Sequence, residues 1–246
     1  MSETLLWGLQ YAGYALEAAL LIILLKRGYL RSLRSLCIFV GTLFAIDAGV
    51  RPLSLHFFGI ASRQYYNLYW LTDLILVLAS FALICAFFRR ACLRHRDVWK
   101  TLRPALAIVL ILELAISSSA FVEHYHQHLL FTHFMYDFSQ DLYFTCVVLN
   151  TVLYLMLQWF KDRDRLLHLL VCGLGIQYAG PAANAALILV GHHSGAGAGA
   201  AWHMFRYLLP LCNATMLAIW VYAVSRQPLT SRMDVGRDGG GLAVAA

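Results

Sequence analysis

The sequence predicts an all-α membrane protein, a bundle of seven transmembrane helices with its amino terminus outside the cell and its carboxyl terminus in the cytoplasm. The prediction depends on the composition, the number of long apolar stretches and the positions of the basic residues. Of the 246 residues, 61% are hydrophobic and 13% are charged, and the mean hydropathy is +0.66. This composition is too apolar for a water-soluble fold of this length.

Seven stretches have the roughly 20 mostly apolar residues that a helix needs to cross a bilayer. Lipid offers the backbone no hydrogen-bond partners, so each stretch is predicted to be helical. The seven predicted spans cover residues 5–25, 35–58, 65–88, 102–121, 137–160, 166–190 and 201–224.

Basic residues determine the predicted orientation, because cytoplasmic loops contain lysine and arginine in excess. They follow the first span, separate the third from the fourth and the fifth from the sixth, and recur in the tail: Lys26, Arg27, Arg31, Arg34, Arg89, Arg90, Arg94, Arg96, Lys100, Arg103, Lys161, Arg163, Arg165, Arg226, Arg232 and Arg237. The opposite loops contain only Arg63. This bias accounts for the net charge of +6 without a nucleic-acid partner.

Residues 1–225 are predicted to form one membrane domain, followed by a disordered cytoplasmic tail over residues 226–246. The tail ends in "DVGRDGGGLAVAA", a composition typical of disorder. The start has an acid where a secretory signal would be basic, so the first span is expected to be retained. None of the six cysteines lies in a predicted outer loop, which argues against a disulfide framework.

Polar residues recur inside every predicted span at intervals of three or four, so each set occupies one helix face. The seven sets are Gln10, Tyr14 and Glu17; Asp47, Arg51 and Ser54; Tyr66, Tyr69 and Asp73; Glu113 and Ser117; Asp137, Asp141 and Thr145; Gln177, Pro181 and Asn184; and His203, Arg206, Pro210 and Asn213. With the predicted orientation, these sets lie near the midplane or in the outer half. They predict a polar pocket that opens outward and is closed by apolar packing toward the cytoplasm.

Eight of these residues are the candidate ligand-binding or ion-binding residues: Glu17, Asp47, Arg51, Asp73, Glu113, Gln177, Arg206 and Asn213. Glu17 is the first candidate, because it interrupts the apolar run "YALEAALLIILL". A carboxyl group is costly to ionise there, so it can stay neutral and bind a proton, a cation or an amine.

A purely structural role is the alternative for these residues. Polar groups between membrane helices contribute roughly 1 kcal/mol each, and buried charges commonly pair with each other. Arg51 could pair with Asp47 or Asp73, and Arg206 with Glu113 or Asp141. The four acids Glu17, Asp47, Asp73 and Glu113 nevertheless outnumber the two arginines at comparable depth.

Prolines inside three spans free backbone carbonyl groups near these polar residues. Pro52, Pro181 and Pro210 free the carbonyls four residues earlier, at Ala48, Gln177 and Arg206. Interrupted helices at the midplane form binding sites in transporters.

Histidines form a separate cluster in "VEHYHQHLLFTH", before the fifth span. His124, His126 and His128 could bind zinc or copper on the outer side, since they share a face if the segment is extended. The alternative is a polar loop that changes its charge near neutral pH. Retinal bound as a Schiff base is excluded, because the last span contains no lysine. No other cofactor is expected.

The segment "YWLTDLILVLASFALICAFFRRAC", with aromatic residues at its start, Asp73 within and basic residues at its end, resembles uncharacterised seven-helix integral membrane proteins of environmental bacteria. The resemblance implies the seven-helix topology only, and no function. Separately, the chain is expected in the cell inner (plasma) membrane of a bacterium.

Two functions remain open. The first is a small-ligand sensor, receptor-like or an accessory membrane subunit, whose helix shifts move the basic segments "RRACLRHRDVWK" and "KDRDR" against a membrane or cytoplasmic protein partner. The second is a small-solute or proton-coupled transporter. Because no nucleophile, base and orienting residue can be assembled, an enzyme is not expected. The expected partners are the lipid bilayer and a small ligand or ion.

Overall fold

The computed structural model describes residues 2–29, 33–59, 62–94, 96–123, 130–160, 164–194 and 198–226. All regular secondary structure within these ranges is helical. The predicted tail beyond Arg226 and the histidines at 124, 126 and 128 lie outside them.

The described chain forms seven continuous helical segments. They are α1 (Ser2–Lys26); α2 (Arg34–Phe44), which continues through a π-helical turn (Ala45–Val50) into α3 (Arg51–Phe58); α4 (Arg63–Ala91), extended by a 3-10 turn (Cys92–Arg94); α5 (Arg96–Glu123); α6 (Leu130–Trp159); α7 (Arg165–Ser194); and α8 (Ala198–Arg226). Each predicted span falls in one segment, except that the fifth was predicted to end one residue beyond Trp159. The largest difference is at the start of α6, predicted at residue 137 and found at Leu130.

Local sequence signals explain where some of these helices begin and end. Gly59 ends α3 with a φ of 72°, a conformation that glycine adopts without strain. The hydroxyl of Ser62 then accepts a hydrogen bond from the backbone N–H of Tyr65 at 3.1 Å and caps α4. At the start of α7, the carboxylate of Asp164 accepts a hydrogen bond from the N–H of Leu167 at 3.3 Å.

Five of the described helical segments are long and apolar enough to cross a membrane: Trp7–Lys26, Arg34–Phe58, Arg63–Ala91, Phe138–Trp159 and Tyr207–Arg226. Large apolar side chains cover much of the outer surface, among them Ile108, Ile111, Val148 and Trp159, which is 86% exposed. Such a surface suits contact with a lipid bilayer. The prediction of a helical membrane protein is confirmed at this level.

Six of the described segments pack in a ring. α1 contacts the α2–α3 segment, which contacts α4; α4 contacts α6, α6 contacts α7, α7 contacts α8, and α8 returns to α1. α5 packs chiefly on α6. α7 and α8 share the most extensive interface, and Gly173 on α7 allows the indole of Trp220 on α8 to approach closely.

Apolar packing closes the end of the ring where the basic residues gather. Trp220 is fully buried there, donates a hydrogen bond to the carbonyl oxygen of Leu170 at 2.9 Å, and contacts the ring of Phe39. Arg27 donates to the carbonyl oxygen of Val224 at 3.0 Å, near the end of α8. Across the ring, Arg90 forms an ion pair with Asp164 at 2.9 Å. The basic ends of four helical segments are thereby tied together in two pairs.

Candidate functional site

Arg51 is the centre of a polar cluster that joins α3 to α4. Its Nη1 lies 3.0 Å from Asp47 Oδ1 and its Nη2 lies 3.4 Å from Asp73 Oδ1. Its Nε donates to the hydroxyl of Thr72 at 3.3 Å, and its guanidinium carbon stands 4.6 Å from the centroid of the Tyr69 ring. The guanidinium group therefore has two carboxylates, a hydroxyl and an aromatic face as partners.

The cluster is built on an irregular part of the second helical segment. The backbone N–H of Arg51 donates to the carbonyl oxygen of Ile46, five residues earlier, which defines the π-helical turn. Asp47 lies within this turn, and Pro52 follows it without an N–H to donate. π-helical turns occur mostly as single turns inside α-helices, and frequently at functional sites. The turn and Pro52 leave this segment less regular where it carries its charges.

Asp73 extends the cluster to α6. The hydroxyl of Tyr143 donates to Asp73 Oδ1 at 3.4 Å. The Tyr143 ring also meets Tyr178 of α7 edge to face, with the ring centroids 6.2 Å apart. Asp73 accepts hydrogen bonds from two sides, from Arg51 and from Tyr143.

Glu17 occupies the buried side of the same region. Its side chain is 1% exposed, and it shares a hydrogen bond with the side chain of Asn213 on α8. Asp47 lies close enough to interact with it electrostatically. Its Oε2 atom nevertheless accepts no hydrogen bond from any described residue, and neither does Oδ1 of Asn213. A buried carboxyl oxygen without a partner is costly to maintain.

Gln177 brings a third unpaired acceptor to the interface of α7 and α8, its Oε1 atom. Gly173 faces Trp220 and Gly180 faces Cys212, so the face of α7 that contains residues 173, 177 and 180 lies against α8. Since the two helices are antiparallel and Gln177 lies between those glycines, it is level with residues between Cys212 and Trp220. Asn213 belongs to the face of α8 that contains Met216 and Trp220, but as the neighbour of Cys212 it lies closer to the level of Gly180 than to that of Gln177.

Charge is unbalanced in this region of the described structure. The guanidinium group of Arg51 is paired with two carboxylates, those of Asp47 and Asp73, and has no described contact with the nearby carboxyl group of Glu17. The side chains of Arg51, Asp47 and Asp73 are 22%, 19% and 17% exposed, so this part of the cluster is largely buried, and Glu17 is fully buried. The arrangement can accept a proton or a small cation at Glu17.

Glu113 lies apart from the cluster. It accepts a short hydrogen bond from the hydroxyl of Thr145, between α5 and α6. Thr145 belongs to the polar set predicted for the fifth span, so at this position that set faces α5. No contact within the described residues joins Glu113 to Arg51. The eighth candidate, Arg206, has a side chain outside the described part of the structure.

Three partners in the cluster were not among the candidates from the sequence. Tyr69 was placed on a polar face only, Thr72 precedes Asp73 on the helix, and Tyr143 lies two residues after Asp141, off the face that the spacing selected. Hydroxyl groups of threonine and tyrosine are common in apolar helices, so the sequence offered no signal that separated these three. Thr72 and Tyr69 are identified only by their contacts with Arg51, and Tyr143 only by its hydrogen bond to Asp73.

Within the described ranges, no group of three histidine, cysteine or acidic side chains is arranged to hold a metal ion. An open groove on α3 and α4, lined by Phe58, Gln64, Asn67, Leu68 and Leu71, is mostly apolar. No protein-family model, curated protein or solved structure matches the chain.

Proposed function

We propose that the chain is a seven-span inner-membrane protein that binds a small ligand in the buried polar cluster and responds to it, as a sensor or an accessory subunit of a membrane complex. The amino terminus is outside and the ring end with Arg27, Arg90 and Arg226 faces the cytoplasm. Two facts support seven spans: α5 has 28 residues and α7 has 30, lengths that exceed the bilayer core. The alternation of basic loops supports the orientation.

The observation that carries the proposal is the unpaired Oε2 atom of the fully buried Glu17. An ionisable residue within a membrane domain is expensive, and such residues mark ligand and ion pathways. A purely structural glutamate would be expected to have both oxygens paired. Glu17 has instead an unpaired oxygen, and it lies beside a cluster in which two carboxylates already share the guanidinium group of Arg51.

The cluster suits a response as well as binding. Arg51 links the irregular second segment to α4 by its ion pair with Asp73. Asp73 in turn accepts a hydrogen bond from Tyr143 on α6. A ligand that changes the charge at Glu17 changes the field on Asp47, and hence its pairing with Arg51. The π-helical turn provides a place where the second segment can adjust. A shift there reaches the basic end through α4, whose Arg90 is paired with Asp164.

A second candidate function, a small-solute or proton-coupled transporter, is favoured by the order of helices in the ring. Around the ring, α1, the α2–α3 segment and α4 follow one another in sequence order, and α6, α7 and α8 then do the same in the same direction. In the sequence, α5 lies between these two sets of three segments. Polar contacts lie at both junctions between these halves, Asp73 with Tyr143 and Asn213 with Glu17. Many transporters consist of two parallel halves with the substrate between them.

Purified protein in liposomes separates the two functions. Proton flux is followed with an enclosed pH-sensitive dye, and thermal unfolding is followed across a panel of sugars, carboxylates, amino acids and amines. A transporter gives flux that Glu17→Gln abolishes. A sensor gives no flux, but at least one panel compound raises the unfolding temperature and Glu17→Gln removes the effect.

The matched control is Glu113→Gln, which makes the same chemical change at an acid outside the cluster. It is expected to behave like the unmodified protein in both assays. If neither flux nor stabilisation by any panel compound is observed, or if both variants behave alike, the proposed function is wrong.

A further inference from the structure

We propose that Lys26 and Arg226 form a binding site for one anionic phospholipid, where α1 and α8 end side by side on the outer surface of the helix ring. The phosphate group lies between the two side chains, and the acyl chains run along the apolar surface next to them. The site is separate from the Arg51 cluster, and it needs no ligand at Glu17.

The first step is the level of the two cations. Two of the segments that can cross a membrane end at these residues, Trp7–Lys26 and Tyr207–Arg226. The ends are also level with each other, because α1 packs on α8 and Arg27 donates a hydrogen bond to the carbonyl oxygen of Val224 at 3.0 Å. Each cation is within two residues of this contact. Both therefore lie where an apolar span meets the lipid headgroups.

The second step is the direction of the side chains. Leu24 on α1 and Val224 on α8 are both 0% exposed. Each cation follows one of these residues by two positions, which turns it about 200° around the helix axis, away from the packed interior. Both cations are exposed. Ile22 and Tyr222, four residues before them, are each 51% exposed, so both helices present an apolar side chain followed by a cation on the outer surface.

The third step is the position of the Arg226 guanidinium group. Its carbon atom lies 5.1 Å from the centroid of the Tyr222 ring, one helical turn back along α8. The side chain thus lies along the outer surface of the helix, over the ring. A guanidinium group held at this level can donate two hydrogen bonds to one phosphate group.

The fourth step is the missing counter-charge. The nearest acid to Lys26 in α1 is Glu17, nine residues and about 13 Å away along the helix, and α8 contains no acid. Among the residues that the structure describes, neither Lys26 nor Arg226 forms an ion pair, whereas Arg90 and Lys100 each have an aspartate partner. Two neighbouring cations are left for an anion from outside the chain.

An anionic phospholipid matches the charge, the level and the apolar surroundings of this site. Its phosphate diester carries the negative charge at the level of the headgroups, and its acyl chains lie where Ile22 and Tyr222 are exposed. A zwitterionic phospholipid has the same phosphate but would bring an ammonium group next to two cations. Anionic lipids are therefore expected to bind more tightly than zwitterionic ones.

The test measures lipid binding to the full chain in nonionic detergent micelles at constant ionic strength. Native mass spectrometry counts the molecules of dioleoylphosphatidylglycerol or dioleoylphosphatidylcholine that each chain retains as the lipid is titrated. We expect one phosphatidylglycerol to bind in a saturable manner at concentrations where phosphatidylcholine does not bind. Equal binding of the two lipids, or displacement of phosphatidylglycerol by an equal concentration of inorganic phosphate, would overturn the proposal.

Variants then locate the bound lipid. Lys26→Gln combined with Arg226→Gln is expected to weaken phosphatidylglycerol binding about tenfold or more, because both cations that face the phosphate are lost. The matched control combines Lys100→Gln with Arg103→Gln, which also removes one lysine and one arginine from exposed positions. It is expected to bind the lipid as the unmodified protein does. An equal loss in the two double variants would show that net charge, not this site, attracts the lipid, and the proposal would be wrong.

Discussion

The guanidinium group of Arg51 reaches from α3 to the carboxylate of Asp73 on α4, with Nη2 3.4 Å from Oδ1, while the same guanidinium holds Asp47 at 3.0 Å. One cation thus serves two acids on two helical segments. Glu17, on a third, lies near enough to Asp47 to interact with it but has no cation of its own among the described residues. This unequal pairing of the three acids with Arg51 is the basis of the proposed site.

Replacing Arg51 with leucine should strongly destabilise the protein. The change leaves Asp47 and Asp73 largely buried without their cation, a loss typically of about 3–5 kcal/mol in the free energy of unfolding. Arg51→Lys keeps the charge but cannot reach several partners at once, so its loss should be smaller. Unfolding in detergent with a chemical denaturant measures both.

The control for this experiment is Lys100→Ala, which breaks an ion pair with Asp97 on the exposed surface. Such pairs contribute little, so the midpoint of unfolding should not change measurably. If Arg51→Leu were as harmless as Lys100→Ala, Arg51 would not be the centre of the cluster.

Gly173→Ala should destabilise the contact between α7 and α8. A Cβ atom at this position would lie 2.6 Å from Nε1 of Trp220 and 3.4 Å from the carbonyl oxygen of Met216. The indole would have to move and weaken its hydrogen bond to Leu170, at a cost of about 1–3 kcal/mol. Thermal unfolding measures the change.

Gly41→Ala provides the comparison, since a Cβ atom there meets nothing within 4 Å. Alanine in an open helical position restricts the unfolded chain, so this variant should be as stable as the unmodified protein or slightly more so. A Gly173→Ala protein with an unchanged unfolding temperature would show that α7 and α8 pack differently from the structure described.

The ion pair between Arg90 and Asp164 should couple the ends of α4 and α7. A double-mutant cycle with Arg90→Ala and Asp164→Ala is expected to give a coupling energy of roughly 1 kcal/mol, because both side chains are partly exposed. Asp164→Asn should retain part of the stability lost in Asp164→Ala, since the amide oxygen can still accept the hydrogen bond from Leu167. Additive effects of the two alanine substitutions would mean that the contact does not connect the helices.

The helices were predictable from the sequence because a bilayer core imposes both length and apolarity on each span. All seven predicted stretches coincide with helical segments in the described structure. The π-helical turn at Ala45–Val50 was not predicted, because an apolar helix and a helix with one widened turn have the same composition.

The polar cluster was predictable in part. Spacing placed Glu17, Asp47, Arg51 and Asp73 on helix faces, and the structure brings these four into one region. The same rule treated Glu113 as equivalent, yet its partner is Thr145, between α5 and α6. Spacing gives the face of a helix but not the neighbour that covers it. The order of helices in the ring is what separates residues that face its interior, such as Asp73, from residues such as Glu113 that lie at the contact between α5 and α6.

If Glu17 serves binding, its unpaired carboxyl group costs stability in the unbound protein. The unfolding temperature of Glu17→Gln without added ligand tests this. We expect it to equal or exceed that of the unmodified protein, because the glutamine is neutral and its amide can donate to the unpaired oxygen of Asn213. A clearly lower unfolding temperature, with Glu113→Gln unchanged, would show that Glu17 is a structural residue and would contradict the account.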